Sequence, residues 1–327
     1  AGSFTAEAAP PATARIKVVG IEGASGDIVA TATGLTSTTM NFVTAGIVVG
    51  QWLKIGGTAA GTKFATAANT GWARVTAVSA NAITLDNRPS GWTTDAGSAK
   101  TIRIFFGDVI RNGTTLLGLT FERAFLGQTT PTYIVQKGLC ADTLEMNFSD
   151  GDAVMANFSF IGMTGSESTS AISGATYVAA PTNVVMTSNA AVGEIRIGGS
   201  AAGSPNWVKN MTLRSQNNLR AKTASGNVGA VDIGMGSHMP TGTIDAYFGS
   251  DALLAQAMAG TSSTLSARAQ INSQALIATV PALVITNHST NAEAIDADVM
   301  QRLEWQAYID TTTNCQLQFD RVEYYEA

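Results

Sequence analysis

The chain has 327 residues, of which 45% are apolar and only 13% charged, and its formal net charge is −5. That length can bury one large core or two to three ordinary ones, and the low charged share fits a subunit that hides much of its surface in an assembly. An acidic balance without any Lys/Arg run excludes gripping of nucleic acid by phosphate neutralisation.

Residues 1–15, AGSFTAEAAPPATAR, are small, Pro-containing and aperiodic, which reads as a flexible arm. The stretch has neither the charged nor the apolar region of a signal peptide, and no run of 18 apolar residues follows anywhere, so no membrane span is expected. From 16 to 100 short strands alternate with Gly-rich turns: RIKVVG, GDIVATATG, MNFVTAGIVVGQWLKIGG and WARVTAVSANAITLDNRP. In the last of these, Val75 and Val78 lead into a turn at Ser79-Ala80-Asn81, with Asn81 suited to a positive φ, and the chain returns through Ile83 and Leu85. Strands this close predict a small barrel or sandwich with Trp52 and Trp72 in its core.

The segment 101–162 contains TIRIFFG, LGLTFERAF and then TLEMNFSDGDAVMANFSFIG. In the last, Leu144, Met146 and Phe148 alternate with Thr143, Glu145 and Asn147, and Val154, Ala156, Phe158 and Phe160 alternate with Met155, Asn157 and Ser159. A period of two broken by Asp150-Gly151 predicts a β-hairpin. A hairpin alone is marginal, so its edges require a partner, either this chain or a copy of it. A Ser/Thr/Gly connector, MTGSESTSAISGAT, leads to a second β-rich half. One helix is predicted there, at 251–259, capped by Ser250-Asp251, with Leu253, Leu254, Ala257 and Met258 apolar and Gly260 as its stop. LGLTFERAF, Gly138 and FSFIG are echoed by KNMTLRSQN, Gly229 and DAYFG. The echo predicts a second hairpin in which Val231, Ile233 and Met235 return through Ile244, Ala246 and Phe248 around a turn at Ser237 to Gly242.

Catalytic and metal chemistry find no constellation. His238 and His288 lie in polar turns without Cys or His at ligand spacing, and Cys140 and Cys315 read as two free thiols. The run Ser149 to Asp152 lacks the remaining ligands of a calcium loop, and GIEGASGD (20–27) lacks the Gly-Lys-Ser/Thr ending of a phosphate loop. Asp296 and Asp298 read as one solvated strand face. No catalytic residue, cofactor or metal site is expected, and the profile is that of a building block rather than an enzyme.

The run LGLTFERAF…YIVQKGLCADTLEMNFSDGDAVMANFSFIGM, the run MTLRSQNNLRAKTASGNVGAVDIGMGSHMPTGTIDAYFGSDALLAQAMAG and the stretch GIVVGQWLKIGG…NTGWARVTAVSANAITLD resemble phage tail tube proteins, the last resembling a small extra domain outside the tube. The resemblance spans most of 16–327. It implies a mainly β, tail-tube-type sandwich or barrel, duplicated, with one short helix and an inserted small β domain. The chain then divides into a flexible arm at 1–15, a peripheral β domain at 16–100 with the first tube strand at its start, a first tube-like unit at 101–175 and a second at 176–327. It further implies stacked rings forming the non-contractile tail tube through which DNA is ejected, located in the virion after synthesis in the host cytoplasm. The implied partners are other copies of the chain, the tape measure and tail terminator proteins, and DNA in transit, with no membrane.

Two hairpins per chain point to a homotrimeric ring with pseudo-sixfold symmetry, against a plain homohexamer with one tube domain. Their polar faces would put acidic and neutral groups, Glu145, Asn157, Asp232 and Asp245, on the lumen wall, free of Lys/Arg anchors. The peripheral domain is expected to be dispensable for assembly. The alternative function is a virion-decorating or surface β-sandwich that binds glycans or a host surface. It would need tryptophans grouped on one exposed face, whereas Trp52, Trp72, Trp92, Trp207 and Trp305 are spread along the chain.

Overall fold

The computed structural model describes residues 19–180, 182, 184–186, 192–202, 205–292 and 295–326; the arm at 1–15 and most of RIKVVG lie outside them. The fold is mainly β, as its alternating segments dictate, with one α-helix among the described residues. The first seven strands are β1 (Gly20–Glu22), β2 (Val29–Ala30), β3 (Gly34–Thr36), β4 (Trp52–Ile55), β5 (Gly71–Val78), β6 (Ala82–Asp86) and β7 (Arg103–Phe105). They form one sheet of their own in the order β1-β7-β4-β5-β6-β3-β2. Leu53, Ile55, Ala73, Val75, Ile83, Leu85 and Ile104 turn inward onto Phe42 and Phe64. The sheet takes in Arg103–Phe105, beyond the expected limit at 100, and β1 pairs with β7 inside it instead of opening the larger sheet.

Local side chains explain where this region departs from the predicted strands. Most of 40–51 is turn, because the Asn41 side-chain oxygen accepts the Val43 and Thr44 N–H groups at 3.1 Å each and coils the chain before β4. The 79–82 turn contains no left-handed residue, so Asn81 does not use the positive φ expected of it; the turn is closed by Ser79 N–H to the Ala82 carbonyl at 2.8 Å. In GIEGASGD the final Asp27 is a hub, accepting from the hydroxyls of Ser37, Thr38 and Thr39 and from the N–H groups of Thr38 and Thr39. Burial alone would raise its pKa, but these donors outweigh burial and hold it below the usual carboxylate range.

The second body contains β8 (Asp108–Arg111), β9 (Leu119–Phe125), β10 (Thr132–Ser149), β11 (Met155–Ile161), β12 (Thr164–Ser168), β13 (Val192–Ile197), β14 (Ser200–Ala201), β15 (Val208–Gln216), β16 (Arg220–Thr223), β17 (Ala230–Gly234), β18 (Met239–Tyr247), α1 (Ala252–Ala259), β19 (Ser263–Ile271), β20 (Gln274–Asn291), β21 (Met300–Ala307) and β22 (Gln318–Val322). Strands β10 and β20, 18 residues each, both change partners along their length. The first part of β10 pairs with β9 and β12 as a protruding arm, so the start of the Ser/Thr/Gly connector is a strand and not a loop. Beyond Gly138, at φ 65°, β10 pairs with β11 and β15. Likewise β20 pairs with β19 and β22 first and with β21 from Leu283 onward.

The result is a sandwich. One layer runs β11-β10-β15-β18-β21-β20 and the other β8-β22-β20-β19-β13-β14. Between them lie Met146, Phe148, Met211, Leu213, Ile244, Leu303 and Trp305 from the first layer, and Leu265, Ala267, Ala278 and Val280 from the second. Fully burying an aliphatic or aromatic side chain stabilises by about 1.5–3 kcal/mol, so this shared core and not any single hairpin holds the body together. Leu253 and Ala257 of α1 pack on it while Met258 remains 74% exposed. The helix ends at Gly260 in the left-handed region, but Asp251 makes no capping bond; Asn206 instead accepts the Gly249 and Ser250 N–H groups at 3.0 and 2.8 Å.

The hairpin at 143–162 forms as its alternation dictates, with Glu145 opposite Asn157 and Gly151 at φ 81°. The second hairpin does not form. Both sides of β18 are taken, by β15 and β21, so β17 pairs with β16 as a separate two-stranded ribbon. A left-handed corner at Asn218, φ 50°, turns the chain back to make that ribbon. Gly138 and Gly229 are not equivalent places in two repeats either: both abut Met163, whose Sδ and carbonyl oxygen would meet an added β-carbon at 2.8 and 2.4 Å. The segments 101–175 and 176–327 therefore share one sandwich, and the duplication is not realised. Asp296, expected on a strand, lies in a turn ahead of β21. Cys140 and Cys315 are both buried and free.

The two bodies join along a seam that contradicts the placement of Trp52 and Trp72 in the small core. Both point away from it and pack with Phe105 against Ala275, Ile277, Val322 and Tyr325. Trp52 donates its indole N–H to Thr279 Oγ1 at 2.9 Å and its backbone N–H to Asp320 Oδ1 at 3.1 Å. The C-terminal residues act as a strap: Tyr324 lies edge-on to Phe105, Tyr325 edge-on to Trp72, and the Glu326 carboxylate pairs with Arg103.

Asp320, 1% exposed, sits at one end of the seam. Burial pushes its pKa up to about 7, against bonds from Gln318 and the Trp52 N–H and the fields of Arg111 and Arg74. A carboxyl group whose folded pKa lies above its ordinary 3.8 adds stability that is complete below that value and is lost as pH rises through about 7. Between pH 5 and pH 8 the melting temperature of the wild type should fall further than that of Asp320→Asn, which has no proton to lose; parallel profiles would refute the assignment. Removing residues 20–106 with the ends rejoined should uncover Ala275, Ile277, Val322 and Tyr325 and lower the melting temperature of the remainder. Calorimetry of that deletion checks it.

A candidate assembly surface

Alternation along β10, β15, β18 and β21 places every second side chain on the face turned away from the sandwich core. In register across the sheet stand Asn157, Glu145, Arg214, Thr241 and Gln306. The next row is Met155, Asn147, Thr212, Thr243 and Glu304, followed by Ser149, Asn210, Asp245 and Arg302. The face is knitted by short polar contacts: Thr212 to Thr243 hydroxyls at 2.9 Å, Ser149 Oγ donating to Asn210 Oδ1 at 2.7 Å, and Asn210 Nδ2 donating to Asp245 Oδ2 at 3.3 Å. It is hollowed, with a depression of about 610 Å³ around Asn210, Asp245 and Arg302.

Three of the four expected wall residues, Glu145, Asn157 and Asp245, share this face. Asp232 does not: it lies on the β16–β17 ribbon, bonded to Lys222 Nζ at 2.6 Å, because the hairpin that was to carry it never forms. Nor is the face free of cations. Its strand positions carry Glu145, Glu304 and Asp245 against Arg214 and Arg302, Arg302 lying 3.5 Å from Asp245 and Arg214 standing opposite Glu145. Arg302 and Glu304 were missed because β21 was not singled out, and Arg214, on β15, because KNMTLRSQN was read only as part of an echo. For β21 the alternation of Gln301, Leu303, Trp305 and Ala307 with Arg302, Glu304 and Gln306 was the available signal.

The margins of this sheet are its other notable property. Among the described residues β11 pairs only with β10, and β20 beyond Ile285 pairs only with β21. Neither open edge carries a Lys, Arg, Asp, Glu or Pro, the residues by which edges are ordinarily blunted. On β11, Phe158 is 56% exposed on the core side, where Phe160 stacks on it and Phe121 of the arm meets Phe160 edge-on at 4.8 Å. Open edges without charge or proline at both margins of one layer are able to accept a further strand, although the β20 edge begins at a bulge between Ile285 and Asn287.

The comparison with protein families agrees. A family model described as phage tail tube protein matches residues 17–307. The chain belongs to the phage tail tube family. A search among curated proteins returned no match. Membership makes this a structural protein of the phage tail. Among the described residues no group of His, Cys, Asp or Glu could hold a metal ion, and no helix is long and apolar enough to cross a membrane.

The polar face carries three carboxylates against two guanidinium groups, and each cation that neutralises a phosphate would steepen salt-dependent binding of DNA. Changing Glu145, Asp245 and Glu304 together to lysine should convert a protein that ignores duplex DNA at low salt into one that binds it, with a log-log salt slope of roughly −3. Fluorescence anisotropy against salt measures this; equal binding by wild type and variant would count against the electrostatic role of the face.

Proposed function

We propose that the chain closes into rings in which the β11 edge of one copy pairs with the β20 edge of the next, the polar face lining the bore. Stacked rings then form the non-contractile tail tube that conducts DNA during ejection, assembled from subunits made in the host cytoplasm and bounded by tape measure and terminator proteins. The observation that carries this reading is the pair of open edges, free of charged residues and proline, at opposite margins of one layer. Such a contact is head-to-tail, so it generates a ring or helix and never stops at a dimer. A closed sheet leaves no backbone N–H or C=O group unpaired.

The expected trimer with pseudo-sixfold symmetry required two lumen hairpins per chain. A single sandwich per chain instead favours a ring of six identical copies, with the seven-stranded domain and the β9–β12 arm as additions to the tube unit. The glycan-binding alternative finds little support in the aromatic residues: Trp52, Trp72 and Trp305 are buried, and Trp207, at 59%, is the exposed one.

Phe158→Lys and Thr290→Lys change exposed positions on the two edges, so each should fold as a monomer and fail to form tubes. Because each retains one intact edge, mixing them should give dimers and nothing larger. Sedimentation and negative-stain microscopy read this. Tubes from either variant would overturn the edge pairing, and threefold rather than sixfold symmetry in wild-type tubes would overturn the copy number.

A further inference from the structure

We propose that the seam between the two bodies contains an oxyanion site, in which Lys54, Lys63 and Arg268, with the Thr70 hydroxyl, receive a phosphate or carboxylate group. Alternation in β4 sends Leu53 and Ile55 into the small core and Trp52 and Lys54 toward the sandwich. Lys54 stands directly opposite Trp72 on β5 and Phe105 on β7. From the other body Arg268 reaches the same spot, its guanidinium carbon 5.3 Å from the Trp72 ring centroid. Lys63 arrives over Gly56, where an added β-carbon would lie 3.1 Å from Lys63 Cβ and 3.0 Å from Thr70 Oγ1. That hydroxyl oxygen is shielded from solvent and has no hydrogen-bond partner.

The charges there do not balance. Glu194 is shared between Arg196 at 2.9 Å and Arg268 at 3.5 Å. Glu326 is held by Arg103 and Thr58. Among the described residues the side chains of Lys54 and Lys63 make no ion pair or hydrogen bond, although the Lys54 backbone is paired in the sheet, and Arg268 also donates its Nε to Gln270 Oε1 at 3.1 Å. Burial first, then Arg268 and Lys63, pushes the Lys54 ammonium below its ordinary pKa, and burial likewise lowers Arg268. A half-buried ammonium beside like charge is costly unless an anion joins it. Two ammonium groups beside a guanidinium whose Nε and Nη1 already serve Gln270 and Glu194 offer the positive charge and N–H donors that oxyanions take. The site is independent of the edges and the polar face, so it stands whether or not the ring reading does.

The test is amine acylation of the folded full chain at neutral pH, with each lysine followed by mass spectrometry. At inorganic phosphate about fourfold above its Kd, with ionic strength held by chloride, occupancy should slow acylation of Lys54 about fivefold. The melting temperature should rise with phosphate in the wild type and in Lys54→Arg, but not in Lys54→Gln/Lys63→Gln, with circular dichroism confirming that the double variant is folded. Protection by phosphate in unassembled protein identifies a free anion as the occupant. Protection that appears only on assembly, without phosphate, identifies a carboxylate of a second copy. If Lys54 reacts at one rate in all of these conditions, the proposal is overturned.

Discussion

Backbone hydrogen bonds left open at the two margins of the six-strand layer are the constraint around which this molecule is arranged. A strand edge in water exposes a row of N–H and C=O groups, and most proteins hide it with charge, proline or a bulge. Here the edges of β11 and of the end of β20 carry neither charge nor proline, and the one device present is a bulge between Ile285 and Asn287 where the open part of β20 begins. The aromatic pair Phe158 and Phe160 behind β11 extends the sandwich core past the point where the chain's own strands stop. The low overall charge leaves these margins with little electrostatic repulsion against an approaching strand.

Everything else supports that layer. The 18-residue strand β20 belongs to both sheets of the sandwich, so the open edge at its end is anchored by a core that includes Val280 and Leu283. Strand β22, paired to β20, carries Asp320 and leads into the C-terminal strap on the seven-stranded body. Small body, seam and polar face are thereby connected through two strands. Burial of Trp52 and Trp72 at that seam makes the small body part of the packing of the large one, although its own core is complete without them.

Much of the local structure was legible in the residues. The hairpin at 143–162, the helix ending at Gly260, the two free thiols and the dense strands before residue 100 all appear where period and turn chemistry put them. Partner choice was not legible. The pattern Val231, Ile233, Met235 is a valid strand, and nothing within it says that β16 rather than β18 lies alongside. The echo between the halves came from habits common to hairpins, and it led to a duplication and an Asp232 wall position that the pairing of β17 removes.

By itself, the sequence determined strand period and the glycine reversals, since these depend on residues a few positions apart: which side chains share a face, where Gly151 and Gly260 reverse or stop the chain, and that Glu145 and Asn157 lie together. Only the tertiary structure decided which strand neighbours which, that Glu145, Arg214, Glu304, Asp245 and Arg302 form one surface, and that Trp52 seals a seam instead of filling a core. Those outcomes depend on competition for strand edges among segments tens to hundreds of residues apart. Alternation specifies the face a strand buries but is silent on which edge it will meet.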